Sequence, residues 1–298
     1  MTATGDTTWI ELTGLPAELL ALAERCYAAD GGMPLATDPA FLGRRWAQGF
    51  GLAAEDGSLL AAGAVRSGPF FTGLVDPDAR GRGLGAEVLD RGLALAASAG
   101  SVGPAASTGD RVVTVESETM TDDAAELFES RGLRQTFAED VMRIDDLDLP
   151  PAEWPSGATV TAWDGPAIAR RFHTTYDASF RDRPGFPGDP AEEWIAENEE
   201  DEDFLPGCSL LVTLPGLGDA GFVVAARGWI VQAGVVPFAR RRGLGAALIT
   251  EALTRMRSAG EADHAWLTVN INNPGAAALY RRLGFVERGL RARYQRPV

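Results

Sequence analysis

The chain has 298 residues, 45% of them hydrophobic, and a formal net charge of −15. This length suits one large domain or two ordinary ones, and the charge argues against nucleic acid or an anionic membrane as the main partner. No apolar run approaches the ~18 residues of a membrane-spanning helix, and two histidines supply a zinc site or a histidine-based triad poorly.

The cysteines and the first residues bear on the cellular compartment. Cys26 and Cys208 lie far apart in the sequence, and we expect two buried, reduced thiols. Residues 1–11 contain no basic segment leading into an apolar one, so no secretory signal is expected. These features predict a cytoplasmic location.

Hydrophobic periodicity and turn residues predict a mixed α/β order in the first half of the chain. In chain order, we predict a helix over Leu15–Asp30, strands over Gly49–Ala54, Leu59–Ala64 and Phe70–Val75, a loop and helix over 80–100, a connector over 101–110, a strand over Val112–Glu116, a helix over Asp122–Arg131 and two short strands within 133–145. Residues 146–157 are interpreted as a linker, because their prolines disfavour a helix and favour an extended path.

The second half repeats this order. We predict helices over Gly165–Ser179 and Pro190–Asn198, strands over Ser209–Leu214, Gly221–Ala226 and Trp229–Val236, a loop and helix over 240–260, a strand over Trp266–Val269, a helix over Pro274–Leu283 and two terminal strands. Each half therefore predicts a mixed sheet flanked by helices.

An internal repeat supports this division. Residues 80–86 read RGRGLGA, and residues 240–246 read RRRGLGA. Each copy follows a predicted strand and begins a predicted helix, and the flanking residues also match. Because each repeating unit is about half the chain, we interpret the protein as a duplicated domain rather than a solenoid.

The repeated loop has the features of an anion site. Gly243 and Gly245 let backbone amides face outward, and the unpaired N–H groups and positive dipole end of the following helix point into the same turn. A phosphate or pyrophosphate would fit there. The alternative for one copy alone is an ordinary strand-to-helix connection with solvated arginines.

Two motifs together resemble a known family. An Arg-x-x-Gly-x-Gly loop between strand and helix, followed by the segment 273–285 (NPGAAALYRRLGF), resembles the GCN5-related N-acetyltransferases, or GNAT family. The second half matches along most of its length, whereas the first half matches well at 75–85 and loosely at 125–133. The resemblance implies two tandem GNAT-like domains, over 1–145 and 158–298 with the linker between, an arrangement similar to that of mycothiol synthase.

The resemblance also implies a cofactor, acetyl-CoA or another short acyl-CoA, and no metal. Its pyrophosphate would bind the loop amides, and its peptide-like arm would pair with the end of the fourth strand of the domain. The residues expected to bind it are Ala233, Gly234, Val235, Val236, Arg240, Arg241, Arg242, Gly243, Leu244, Gly245, Ala246 and Asn273. A second site in the first half would comprise Leu74, Val75, Arg80, Gly81, Arg82, Gly83, Leu84 and Gly85.

Tyr280 and Asn273 match positions of the family motif. The family tyrosine protonates the leaving CoA thiolate in many relatives, a step that a phenol of pKa ~10 can perform. The alternative for Tyr280 is a core tyrosine on an amphipathic helix. The alternative for Asn273 is a helix N-cap ahead of Pro274, and both roles are compatible.

Two departures from the family pattern affect the chemistry. Trp229 occupies the strand position where many relatives carry a glutamate base; Asp177, His173 and Glu287 are the other candidate bases, each also explicable as structural. Phe128 occupies the tyrosine position in the first half and cannot donate a proton. We therefore expect the first half to bind CoA without catalysis, or only to pack against its partner.

The acceptor is the least determined part of the hypothesis. An acidic run over 192–203 would attract a cationic amine, although such runs are usually solvated surfaces. Phe180, Phe186 and Trp194 either line a substrate pocket or cover the core. We expect an N-acetyltransferase acting on the primary amine of a small molecule, as monomer or homodimer. The alternatives are acetylation of a cysteinyl amine, antibiotic modification, or a non-catalytic acyl-CoA sensor or scaffold.

Overall fold

The computed structural model describes residues 8–46, 48–66, 69–99, 112–183 and 186–298, so the predicted connector 101–110 lies outside the described residues. Its helices are α1 (Ala17–Asp30), α2 (Pro39–Arg45), α3 (Leu84–Ala99), α4 (Asp122–Ser130), α5 (Gly165–Phe180), α6 (Ala191–Glu199), α7 (Leu244–Ser258) and α8 (Pro274–Arg282). Its strands are β1 (Thr8–Thr13), β2 (Gln48–Ala53), β3 (Leu59–Arg66), β4 (Phe70–Val75), β5 (Val112–Met120), β6 (Arg134–Ile144), β7 (Thr159–Ala162), β8 (Leu210–Leu214), β9 (Gly218–Ala226), β10 (Trp229–Val235), β11 (Ala265–Asn270) and β12 (Val286–Pro297). The predicted α/β class is confirmed.

Some predicted elements were wrong. The two short strands expected within 133–145 are the single strand β6, whose sequence contains no glycine or proline to interrupt it. The two terminal strands are likewise the single strand β12, which continues through Gly289 at φ 137°. The prediction also missed β1, β7 and α2, although Asp38 caps α2 by accepting a hydrogen bond from the Phe41 amide at 2.7 Å.

The chain divides into two compact units. The first unit comprises the described residues up to Val141, together with Asn270–Asn272 and Arg288–Val298; the second comprises Met142–Val269 and Asn273–Glu287. This division differs from the predicted bounds of 1–145 and 158–298. The physical reason is that β12 pairs with β5 of the first unit, from Leu290 opposite Met120 to Pro297 opposite Val112.

The strands within each unit pair in the same pattern. In the first, β1 to β4 pair antiparallel in sequence order, β4 pairs parallel with β5, and β12 pairs antiparallel with β5. In the second, β7 to β10 pair antiparallel in sequence order and β10 pairs parallel with β11. The one parallel pair in each set of these strands is the place where a long helical connection, α3 or α7, intervenes.

Apolar helix faces cover the sheets. In α1, Leu19, Leu22, Ala23 and Cys26 are buried at helical spacing. In α7, eight residues are buried, including Leu248, which belongs to the main core of the second unit. No helix of the described residues is both long and apolar enough to cross a membrane.

Candidate acyl-CoA site

The loop between β10 and α7 presents a row of backbone amides. A short 3-10 turn, Pro237–Ala239, is followed by Arg241 at φ 65° and Gly243 at φ 83°, both in the left-handed region. The first hydrogen bond of α7 runs from the Ala247 amide to the Gly243 carbonyl at 3.0 Å. The amides of 241–246 therefore precede the helical ladder, and none of them has a partner within the part of the chain that the structure describes.

The first unit repeats this backbone path. Gly81 at φ 73° and Gly83 at φ 86° occupy the positions of Arg241 and Gly243, and the Glu87 amide donates to the Gly83 carbonyl at 3.2 Å. A Cβ added at Gly81, Gly83 or Gly243 would meet no atom within 4 Å. Both turns therefore face open space and have the form of an anion-binding nest at a helix N-terminus.

The first arginine of each loop fixes the loop in place. Arg240 donates to both Asp182 oxygens, at 2.6 and 2.9 Å, and its Nε donates to the Val235 carbonyl at 3.1 Å. Arg80 likewise donates to both Asp30 oxygens at 2.7 Å. These side chains are therefore engaged within the protein, and the hydrogen bonds from Arg240 lower the pKa of the Asp182 carboxyl.

Arg241 and Arg242 differ from Arg240. Both are exposed, and neither forms an ion pair with any described residue. The Arg240 amide also donates within the protein, to the Pro237 carbonyl at 3.3 Å, so the cofactor contact predicted for Arg240 is left without a free donor. The exposed guanidinium groups of Arg241 and Arg242 remain candidates for the predicted contact. Sequence reasoning missed Asp30 and Asp182, because nothing local marks them as the partners of distant arginines.

The end of β10 has a free edge. This strand pairs with β11 only at Trp229 opposite Trp266, whereas it pairs with β9 along its length. The Val236 amide donates to the Ala220 carbonyl at 3.0 Å on the β9 side. Because backbone groups alternate between the two edges of a strand, the amides of Ala233 and Val235 face the open edge.

The same gap exists in the first unit. Pairing between β4 and β5 is confined to Phe70 opposite Thr114 and Phe71 opposite Val115. Beyond it, the Val75 carbonyl accepts from Arg80 Nε at 3.3 Å and from Cys26 Sγ at 3.4 Å. The predicted pairing edges, 233–236 and 74–75, thus lie where each strand separates from its parallel neighbour.

Tyr280 lies in α8 beside the loop. A Cβ added at Gly245 would lie 3.2 Å from Leu279 Cδ2, so the residue preceding Tyr280 packs on the start of α7. The Tyr280 hydroxyl has no hydrogen-bond partner among the described residues, and burial raises the pKa of Tyr280 to about 12. This side chain is a protonated phenol throughout the neutral range.

The first unit places Phe128 in the corresponding position. A Cβ at Gly85 would lie 3.3 Å from Leu127 Cδ2, which matches the Gly245–Leu279 contact. Phe128 packs edge-on against Tyr294, with ring centroids 5.3 Å apart. The two units therefore share a frame in which a phenol is present in one and absent from the other.

Asn273 caps α8. Its Oδ1 accepts a hydrogen bond from the Ala276 amide at 3.3 Å, as the N-cap alternative requires. In the first unit Thr121 caps α4 in the same way, through the Ala124 amide at 3.3 Å. The role of Asn273 toward a cofactor stays a prediction, since its amide nitrogen is not used by the cap.

The candidate bases have structural partners. His173 Nε2 donates to the Asp189 carbonyl at 2.8 Å, Asp177 pairs with Arg181, and Glu287 pairs with Arg281. Trp229 stacks on Trp266, with centroids 6.1 Å apart and planes at 25°. The strand position of the family base is thus occupied by a cross-strand tryptophan pair.

The aromatic residues of the predicted acceptor region form a core. Trp194 is 2% exposed and stacks on Tyr176 with a centroid distance of 4.9 Å. Trp194 Nε1 also donates to Gln232 Oε1 at 3.0 Å, which places a neutral amide on this face of β10. Phe180, Phe186 and Trp194 therefore pack with this cluster, and Gln232 is a polar residue that the motif did not indicate.

A cavity of about 200 Å³ lies in the first unit. It is bounded by the loop, the separated ends of β4 and β5, and α4. Its walls include Val75, Arg80, Gly81, Gly85, Leu127 and Phe128. The first unit thus combines an open cleft with the amide loop, in the half where no tyrosine is present. No cluster of three histidine, cysteine or carboxylate side chains in the described part could hold a metal.

Comparison with known proteins agrees with this geometry. Residues 159–285 match the model of the acetyltransferase (GNAT) family. This part of the chain is a GNAT acetyltransferase domain. A GCN5-related N-acetyltransferase from Sphaerobacter thermophilus superimposes with a TM-score of 0.74 at 24% identity, covering 97% of this chain and 95% of that one.

A second solved structure extends the likeness to the tandem arrangement. The tandem GNAT protein from the clavulanic acid biosynthesis pathway, solved without acetyl-CoA, gives a TM-score of 0.60 at 15% identity, covering 98% of each chain. These superpositions show a tandem GNAT fold, and at these identities they show no shared substrate. No curated protein matches the chain.

Proposed function

We propose that this GNAT protein is an acetyl-CoA-dependent N-acetyltransferase that acts on the primary amine of a small molecule, with its chemistry in the second unit. The observation that carries this proposal is the position of Tyr280. Its neighbour Leu279 packs on Gly245, so the helix that carries Tyr280 lies against the helix end that would hold the cofactor.

The residues of the second unit fit acetyl-CoA. The open amides of 241–246, at the positive end of α7, suit a pyrophosphate. The free edge of β10 at Ala233 and Val235 suits the peptide-like arm of the cofactor. When bound, acetyl-CoA would supply an acetyl group already activated as a thioester.

The chain then has two tasks. The Val235 amide, which faces the open edge of β10, would donate to the acetyl carbonyl oxygen as negative charge develops on it. The Tyr280 hydroxyl, which a pKa of about 12 keeps protonated, would give its proton to the departing thiolate sulfur and recover one from solvent. The amine either binds unprotonated or loses its proton to water, because the strand base is replaced by Trp229.

For the first unit, we propose CoA binding without turnover. The cavity of about 200 Å³ at its loop supports binding, and Phe128 at the position of the acid argues against catalysis. Calorimetry should then show two CoA molecules per chain. A single molecule, lost in Gly243→Glu, would confine binding to the second unit.

The acceptor is proposed from charge alone. The net charge of −15 favours a cationic amine such as a polyamine, an aminosugar or an amine antibiotic. A cysteinyl amine is the alternative acceptor. Two buried free thiols favour a cytoplasmic site of action. The proposed oligomeric state is a monomer or a homodimer.

Thiol release from acetyl-CoA over an amine panel tests the proposal. Tyr280→Phe should lower turnover about 100-fold, the usual contribution of a general acid, and leave the acetyl-CoA Kd nearly unchanged. Tyr294→Phe, which removes a buried hydroxyl from the first unit, serves as control and should leave turnover unaltered. Full turnover in Tyr280→Phe would remove Tyr280 from the mechanism.

A non-catalytic acyl-CoA sensor is the second candidate. The Trp229–Trp266 stack and Phe128 favour it, because they occupy the positions of a base and an acid. Acetyl-CoA binding with no thiol release for any amine would support the sensor. Release that Tyr280→Phe abolishes would exclude it.

A further inference from the structure

A buried cluster of charges lies beside the cavity of the first unit. Glu116 on β5, whose side chain is 3% exposed, contacts Arg66 Nη2 at 2.8 Å, Arg293 Nε at 3.3 Å and Arg45 Nη1 at 3.6 Å. Glu118 contacts Arg45 Nη2 at 2.9 Å. Three guanidinium groups thus face two carboxylates, which leaves one positive charge in excess.

Two donors of this cluster are unpaired. Arg45 Nη1 and Arg66 Nε are buried, and neither has a hydrogen-bond partner among the described residues. The 3.6 Å separation of Arg45 Nη1 from Glu116 is too long for a hydrogen bond. Because buried guanidinium donors are almost always paired, these two donors are available to an acceptor that the described residues do not supply.

Two neighbouring cavities of the first unit share part of their walls, and the second of them reaches Arg45. The cavity of about 200 Å³ and a second cavity of about 30 Å³ share four wall residues, which are Gly73, Leu74, Ser117 and Thr119. These residues flank the separated ends of β4 and β5. Arg45 and Trp46 of the α2 region line the second cavity. About 10–15 Å³ holds one water molecule, so this space admits a group as large as a carboxylate.

We propose that the first unit binds an acyl-CoA whose acyl group ends in a carboxylate, and that Arg45 determines this specificity. The inference rests on the proposed binding of CoA to the first unit. A thioester carbonyl held at the Val75 edge would direct the acyl chain past Gly73, toward the second cavity. There the terminal carboxylate would accept hydrogen bonds from Arg45, whose fork matches carboxylate geometry.

An uncharged acyl group would leave these donors unpaired. An acyl chain of the same length that ends in a methyl group brings no acceptor to Arg45 Nη1. The free-energy cost of burying that donor unpaired would then remain. A water molecule in the small cavity could also satisfy the donor. Discrimination between matched charged and uncharged acyl groups therefore separates ligand recognition from simple hydration.

The experiment uses calorimetry on the full chain carrying Gly243→Glu, so that only the first unit is available. Succinyl-CoA and butyryl-CoA have acyl chains of equal length and differ in the terminal carboxylate. We expect succinyl-CoA to bind at least tenfold more tightly than butyryl-CoA. Arg45→Met should abolish this preference, whereas Arg44→Met, which changes the exposed neighbour on the same helix, should retain it.

Further measurements keep the outcomes distinct. Arg45→Met deprives Glu118 of its partner, so Arg45→Lys provides a second variant that keeps the charge, loses the fork and should show an intermediate preference. Unchanged melting temperature and free-CoA affinity show that a variant is folded. Equal affinities for the two ligands, or a preference that survives Arg45→Met, would overturn the inference while CoA binding stands. Failure of every CoA compound to bind would overturn both.

Discussion

The loops at 80–86 and 240–246 follow one backbone path but carry different side chains. Gly81 and Arg241 both adopt positive φ, at 73° and 65°, and Leu127 and Leu279 pack on equivalent glycines. The chemistry diverges at the next residue, where one unit has Phe128 and the other Tyr280. The proposed anion binding would therefore reside in the shared backbone, whereas the proposed proton donation would depend on a single side chain.

The carboxylates that fix the two loops also differ in burial. The Asp30 side chain is 8% exposed, whereas that of Asp182 is 48% exposed. Both accept two hydrogen bonds from the first arginine of their loop. The first loop is therefore held by a desolvated pair and the second by a solvated one, which predicts different responses to the same substitution.

The largest expected effect comes from blocking each nest. Gly243→Glu places a carboxylate in the anion site and forces a side chain onto φ 83°. We expect acetyl-CoA binding to the second unit and turnover to fall at least about 100-fold, since a like charge meets the pyrophosphate. Gly83→Glu should remove the first unit's ligand and leave turnover intact, as calorimetry and thiol release would show. Loss of turnover in Gly83→Glu would show that the units do not act separately.

Removing the anchoring carboxylates should give a smaller, asymmetric effect. Asp30→Ala leaves Arg80 without its buried partner, and we expect the first unit to lose about 2 kcal/mol or more of stability. Asp182→Ala should hardly change the melting temperature, because its pair is exposed. It should instead weaken acetyl-CoA binding, since Arg240 no longer holds the loop. Hydrogen exchange resolved by segment measures the loss of protection around each loop. Equal losses in Asp30→Ala and Asp182→Ala would contradict the burial argument.

Exchanging the residue at positive φ sharpens the comparison further. Arg241→Gly keeps the left-handed conformation but removes its strain, which costs a non-glycine residue roughly 1–2 kcal/mol. Ordering the more flexible glycine backbone costs roughly 0.5–1 kcal/mol in return. We expect a stability gain of less than about 1 kcal/mol. Acetyl-CoA affinity should fall about two- to fivefold, because one exposed cation near the helix end is lost. Gly81→Arg is the reciprocal variant and should show the opposite signs.

The sequence was sufficient for the local parts of the site. The loop and the start of α7 follow one another within residues 240–246, so residue types and spacing predicted their arrangement. Tyr280, in the following helix, was indicated by its match to the family motif. The tandem GNAT fold was predicted correctly from the family resemblance that these motifs and the internal repeat carry. The pairing of Arg80 with Asp30, in contrast, joins residues 50 positions apart and leaves no local pattern.

The buried charge cluster and the C-terminal strand show the same limit more strongly. The cluster brings together Arg45, Arg66, Glu116 and Arg293 from α2, β3, β5 and β12. No periodicity of any one segment indicates that these residues meet. The assignment of Arg288–Val298 to the first unit likewise depends on strand pairing with β5, which composition and spacing do not specify.

The smallest effect at neutral pH concerns the ionisation of Tyr280. Burial raises its pKa from 10.0 to about 12, so an unfolded chain releases this proton near pH 10 and the folded chain near pH 12. Between these values the folded state binds more protons, so the stability that Tyr280 contributes is complete below pH 10 and is lost as the pH rises to 12.

Tyr280→Phe should remove this component of the alkaline loss. Denaturant midpoints of wild type and variant, measured from pH 8 to pH 12.5, should differ by a constant amount up to about pH 10. Above that pH the wild type should lose stability relative to the variant, because the buried phenol resists ionisation. Turnover should show no basic limb from Tyr280 below pH 10, because the acid stays protonated there. Parallel midpoint curves across the whole range would place the Tyr280 hydroxyl in solvent rather than in the frame that it shares with Phe128.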